Sequence, residues 1–212
     1  MDLKQKILEA ASAMFMTYGI RAVTMDMLAS EMGISKRTIY ENFRDKDEIL
    51  HGVMELMAGK QNELTTRVLR DSDNVIDAVF RILDIMTEHF RKMSPAFRLD
   101  MKKYHNDIVS RIRETGNVPS FMNNTDILLR GIREGYFRKD INVSVTNKCL
   151  EEMVRISNDD EKYNTGDHEN EEIIRSFFIN YLRGISTQKG LDLINQHERK
   201  RPADKGQKII QK

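Results

Sequence analysis

Apolar residues recur at helical spacing along most of the chain. Leu3, Ile7, Ala11, Met14, Phe15 and Tyr18 make one stripe, and Gly19 stops it. Met25, Leu28, Ala29 and Met32 make a second at i, i+3, i+4 and i+7. Thr24 can cap its start, and Gly33 stands where a left-handed residue would end it. Ser35 caps a third, short helix whose entry angle is set by Ile34 and Ile39 as a hydrophobic staple. Ile39 and Phe43 then bury one side, while Lys36, Arg37, Tyr40 and Glu41 fall on the opposite side. Asp45 and Glu48 form a capping box for the helix that follows.

Beyond Asp45 the pattern predicts a helix to about Arg70 with Ile49, Leu50, Val53, Met57 and Leu64 inward. At 1.5 Å per residue it would be about 37 Å long. After the break at Asp71-Ser72-Asp73, Val75, Val79, Leu83, Met86 and Phe90 share one face, and Ile76, Phe80 and Ile85 populate others. That helix is expected to be covered nearly all round. Ser94-Pro95 opens a further helix to about Thr115, Gly116 to Pro119 break it, and another reaches Tyr136 or Phe137. Two more cover about Ser144–Ser157 and Glu169–Thr187, on either side of an acidic loop. The tail from Arg199 is basic and low in apolar content, and reads as disorder or as a DNA-contacting arm. Alternating Val/Ile/Thr runs bounded by Asn-Gly or Asp-Gly turns do not occur, so the fold class is all-α.

Composition narrows the classes. Hydrophobic residues at 40% suit a packed core, and 32% charge suits a hydrated surface. No run of eighteen apolar residues exists and the N-terminus is a charged amphipathic helix, so neither a membrane span nor a signal peptide is expected. One cysteine, Cys149, excludes an intramolecular disulfide framework and suits a cytoplasmic location. The five histidines show no H-E-x-x-H spacing. Gly184-Ile-Ser-Thr-Gln lacks the final glycine of a hydrolase elbow and lies late in a helix. No catalytic residues, metal or cofactor are expected. Net charge is only +1, but Lys36, Arg37, Arg44 and Lys46 gather around the short helices.

Gly19, Thr24, Ala29, Gly33, Ser35, Thr38, Ile39, Tyr40, Phe43 and Lys46 together resemble the N-terminal signature of the TetR (tetracycline-repressor) family of bacterial regulators. The resemblance is dense over residues 3 to 50. It implies an N-terminal helix-turn-helix DNA-binding domain over residues 1–46 and a larger ligand-binding and dimerisation domain over residues 47–198, with residues 199–212 as a tail. The implied function is a ligand-responsive transcriptional regulator, a repressor released from a near-palindromic operator in double-stranded DNA by a small-molecule effector. Activation of transcription shares the same DNA chemistry.

An α-helix fits the major groove, and Arg37 offers a fork that can bond N7 and O6 of one guanine. Lys36 could do the same or meet a phosphate. Glu41 could accept from cytosine N4 or act by excluding wrong bases. The resemblance implies phosphate contacts for Thr24, Thr38, Tyr40, Asn42 and Lys46, with Ser35 at the helix start. Met86, Phe90, Phe97, Met101, Tyr104 and His105 are candidates for an effector pocket or for plain core. Phe177, Phe178, Tyr181, Leu182 and Ile185 are candidates for pairing two subunits or for packing within one. The competing reading is a helical interaction protein without DNA binding, which requires the Arg37–Tyr40 face to be buried.

Overall fold

The computed structural model describes residues 2–101, 124–157 and 170–200. Within them the chain is helical, in the order α1 (Leu3–Tyr18), α2 (Met25–Met32), α3 (Lys36–Asn42), α4 (Lys46–Asp71), α5 (Val75–Lys92), α6 (helical over 95–101), α7 (Thr125–Arg133), α8 (Val143–Ser157), α9 (Asn170–Ile185) and α10 (Gln188–Lys200). One isolated antiparallel bridge joins Phe137 and Ser186.

Local chemistry explains the first four elements. The Thr24 hydroxyl accepts from the Met27 amide at 3.2 Å, starting α2, and Gly33 ends it at φ 64, ψ 29, in the left-handed region. Ser35 Oγ accepts from the Thr38 amide at 3.0 Å, and Asp45 Oδ1 from the Glu48 amide at 2.8 Å. Glu48 reaches back one residue further than a capping box requires, to the amide of Arg44 at 2.6 Å.

Two apolar cores result. The first collects Ile7, Ala11 and Phe15 of α1, Leu28 of α2, Ile39 of α3 and Ile49, Leu50 and Val53 of α4. It also takes in Phe97 of α6, which is 1% exposed. Leu3 and Tyr18, at the two ends of the α1 stripe, lie exposed. The second core packs Val75, Ile76, Phe80 and Leu83 of α5 against Ile127 and Leu128 of α7, Ile179 and Leu182 of α9 and Ile194 of α10. Helix α4 joins the two cores without interruption. In its second half Ala58 and Thr65 are buried, with the expected Met57 and Leu64 only half-buried.

Several elements depart from the sequence pattern. Helix α5 is not covered all round, since Arg81 and Asp84 are exposed. Helix α7 ends at Arg133, three or four residues before the expected Tyr136 or Phe137. Gly135, at φ 76, turns the chain, and the Phe137 amide bonds back to the Gly131 carbonyl at 3.0 Å. The turn drops the Phe137 ring against Gly131, where a Cβ would stand 2.1 Å from it. Helix α9 stops at Ile185, and α10, which the pattern missed, begins at Gln188. Thr187 is the overlooked start signal, its hydroxyl accepting from the Gly190 amide at 3.3 Å. Arg199 and Lys200 therefore belong to a helix and not to the tail. The rest of that tail, the end of α6, the break at Gly116–Pro119 and the acidic loop up to residue 169 lie outside the described residues.

Ionic nodes around two part-buried arginines lock these helices. Arg130 of α7 pairs with Glu134 at 2.5 Å and donates to the carbonyls of Leu69 and Ser72, where α4 ends. Glu134 in turn accepts from the Val75 amide at 2.7 Å, satisfying the start of α5. Arg175 of α9 sits between Asp84 of α5 and Glu198 of α10 at 3.1 and 3.0 Å.

Candidate functional site

Three capped helices present α3 outward. Its buried side is Ile39 alone, part of the first core, with Phe43 closing the helix behind it. The opposite side is open. The Arg37 side chain is 88% exposed and Tyr40 48% exposed. A face this open is not packing surface, so the reading of a helical interaction protein with a buried Arg37–Tyr40 face is overturned.

The polar groups on this side are held in definite states. Arg37 Nε donates to Glu41 Oε1 at 3.0 Å, one turn along α3. Lys36 Nζ donates to Asp26 Oδ2 of α2 at 2.7 Å, and that bond raises the Lys36 pKa above its ordinary value. The Ser35 and Thr38 hydroxyls are 2.8 Å apart, and a single bond between them leaves one hydroxyl proton to donate elsewhere. Thr24 uses its oxygen as a cap, and its proton also remains available. Asn42 turns one amide hydrogen back to the Thr38 carbonyl at 2.8 Å. Lys46 reaches the Arg21 carbonyl at 3.3 Å, and burial lowers its pKa, opposed by Asp100 and Asp47. Thr24, Ser35, Lys36, Arg37, Thr38, Tyr40, Glu41 and Asn42 thus share one end of the molecule, while Lys46 is directed at the turn after α1.

Asp26 is the residue that sequence reasoning missed. It reads locally as an acid in the first turn of α2, and its link to Lys36, ten positions on, exists only once α2 and α3 pack.

A second attachment reaches the same head. Gly19 leaves α1 at φ 88, and a Cβ there would stand 2.9 Å from that of Ala96 in α6. Asp100 of α6, 6% exposed, accepts from the Arg21 amide at 2.8 Å, and the Ser94 amide donates to the Met16 carbonyl at 2.9 Å. Phe97 fills the first core, and Met101 packs against it. Neither lines the effector cavity proposed for them, because α6 turns its apolar side toward the head.

A cavity does exist in the second core. It lies between α4, α5, α7, α8 and α9 and is partly open to solvent. Met86 is on its wall. Thr65 comes from α4, Leu150 from α8, and Phe178, Tyr181, Leu182 and Ile185 from α9. Tyr104 and His105, and the side chain of Phe90, lie outside the described residues. No charged side chain lines the cavity among the described residues, and the Tyr181 hydroxyl is already committed to the Thr146 carbonyl at 2.9 Å. Leu182 and Ile185, 5% and 8% exposed, are buried within the chain itself. Phe177 is 40% exposed on the other side of α9, with Asn180 and Gly184 at i+3 and i+7 also exposed.

An exposed polar helix at the second position of a capped helix-turn-helix, on an all-helical body, defines a DNA-binding transcriptional regulator. Residues 7–53, the N-terminal domain, match the model described as bacterial regulatory proteins, tetR family. The HTH-type transcriptional repressor KstR2 of Mycobacterium tuberculosis is 25% identical over 160 residues, covering 72% of this chain and 78% of that one. An uncharacterized HTH-type transcriptional regulator of Bacillus subtilis, YhgD, is 37% identical over 92 residues, 42% of this chain; the match spans about half of that relative, 48%. The structure of FadR from Bacillus subtilis in complex with stearoyl-CoA superposes with TM-score 0.62 over 85% of this chain and 98% of that one. Its 16% identity makes that a likeness of fold. Among the described residues no helix is long and apolar enough to cross a membrane.

Proposed function

We propose that the protein is a repressor that binds a near-palindromic operator as a homodimer and releases it when an apolar small molecule enters the cavity of the second core. The observation that carries this reading is the path of α4. Ile49 of this helix is fully buried in the head, and Thr65 of the same unbroken helix is part of the cavity wall. A ligand that enlarges the cavity must displace Thr65, and a continuous helix passes that displacement to the head. In a dimer the two α3 helices would enter successive major grooves about 34–36 Å apart, so altered spacing lowers DNA affinity. Residues 1–46 and 47–198 serve as the DNA-binding unit and the effector and dimer unit, with a cytoplasmic location matching a DNA partner.

The cavity favours a hydrocarbon ligand, because a buried charge without a counter-ion is strongly disfavoured. The names of two similar proteins point to partly matching chemistry, one a ketosteroid regulator and one holding stearoyl-CoA, whose acyl chain and not its charged CoA end suits such a cavity. Pairing of subunits would use the exposed side of α9 around Phe177 and Gly184, together with Val145 and Cys149 on α8.

Selection of bound duplexes from a random pool tests the DNA reading, followed by titration of the recovered duplex with stearoyl-CoA and with a ketosteroid. A two-fold symmetric sequence, released by either ligand, is expected. Ligand binding without loss of DNA affinity refutes the scheme, since coupling must be reciprocal. A mass matching one chain in solution refutes the dimer.

On the recovered duplex, Arg37→Ala is expected to lose about 1–3 kcal/mol and to relax preference at one base pair. Competition binding against single-base variants measures this. Equal loss on every sequence would make Arg37 a phosphate contact.

A further inference from the structure

Helix α3 carries two cations, and each is already engaged by an acid on the same open side. Arg37 meets Glu41 and Lys36 meets Asp26. The two acids differ in kind. Glu41 lies on the recognition helix itself and can be compensated by a base-edge amine in the groove. Asp26 is on α2, in the first turn after Thr24, where a phosphate would approach the start of a helix. Its carboxylate is 70% exposed and acceptor-only when ionised, so a phosphate offers it nothing in return.

We propose that Asp26 is a specificity-determining residue, which engages Lys36 so that the head holds random DNA weakly. The inference rests on the DNA-binding reading above. Sequence-independent affinity comes from cations that neutralise phosphates and release counter-ions. With Lys36 engaged by Asp26, that cation is withheld from the general attraction that every duplex exerts. An operator recovers the lost affinity through directional contacts, Arg37 on a base edge and the Thr24 and Ser35–Thr38 hydroxyls on defined phosphates. Random DNA does not. The ratio of the two affinities, not either one, is what Asp26 sets. The small net charge of +1 is consistent with a regulator that does not rely on bulk attraction.

The test measures binding of random-sequence duplexes and of the selected operator, across a salt series, for wild type, D26N, K36A and D26N/K36A. Asp26 is exposed and its isostere keeps the shape of the first turn, so an unchanged melting temperature verifies the fold. For D26N, the salt slope on random duplexes should steepen by about 0.9, which at 0.1 M salt is about an eightfold gain in affinity for one added phosphate contact. Operator affinity should gain less, so discrimination falls. D26N/K36A should lose the gain on random DNA. A D26N slope equal to wild type overturns the proposal. So does a gain that survives in D26N/K36A, because the effect would then be loss of a charge and not release of Lys36. Equal gains on operator and random duplexes overturn the specificity role. If wild type recovers no preferred sequence and Arg37→Ala changes nothing, the DNA reading itself has failed, an outcome separate from all of these.

Discussion

Replacing Phe97 with alanine is expected to destabilise the protein by about 3–5 kcal/mol, the usual cost of emptying a buried phenylalanine site. The ring is 1% exposed among side chains of α1 to α4, although it arrives from a helix some fifty residues after the head is complete. The residues of the head cannot close the gap, because Ile7, Phe15, Ile49 and Val53 are themselves fully packed. Urea unfolding followed by far-ultraviolet dichroism measures the loss, and DNA binding should weaken with it. Affinity for an apolar ligand of the cavity should stay close to wild type, because the ring does not line that space. A variant with wild-type stability and a weakened ligand would return Phe97 to the effector pocket and contradict the structure.

The second large effect is expected at Arg130. Its side chain is 20% exposed, and the guanidinium joins Glu134 with the carbonyls of Leu69 and Ser72. Arg130→Ala is expected to cost about 2–3 kcal/mol, since charged and backbone acceptors lose their donor in a poorly hydrated place. Arg130→Lys should recover little of this. A lysine brings a point charge on a flexible stem, and one ammonium does not reproduce a planar fork that spans three acceptors. The partner Glu134 would still hold the Val75 amide, so the start of α5 should survive while the end of α4 loosens. Hydrogen exchange at the last turn of α4 distinguishes this from general destabilisation: faster exchange confined to residues near Leu69 and Ser72 is expected. Full stability in Arg130→Lys would show that charge, and not geometry, holds the node.

The head was readable in the sequence because its structure is decided by neighbours. Thr24, Gly33, Ser35 and Asp45 each act within three or four residues, and every one of them caps or turns the chain as its side chain dictates. The second core was less readable because its partners are chosen across the chain. Leu182 and Ile185 belong to a stripe wide enough for two neighbours, and nothing local says that both neighbours lie in the same subunit. Phe97 and Met101 look like any soft aromatic pair, and only the approach of α6 to Gly19 assigns them to the head. The end of α7 turned on Gly135, a residue with a local meaning that the apolar run through Tyr136 and Phe137 obscured. Helix α10 is obscured for a similar reason, since Thr187 looks like the end of one helix and is the beginning of the next.

The fastening of Asp100 and Ser94 to the turn after α1 has a mechanical consequence. The head is tethered to the body twice, once through the shaft of α4 and once through α6. A rigid piece fixed at two points keeps a single rotation, about the line that joins them. Its reading surface then travels on an arc whose direction is settled before any ligand arrives. In the repressor proposed above, an effector would set how far along that arc the surface sits, and not the direction in which it moves.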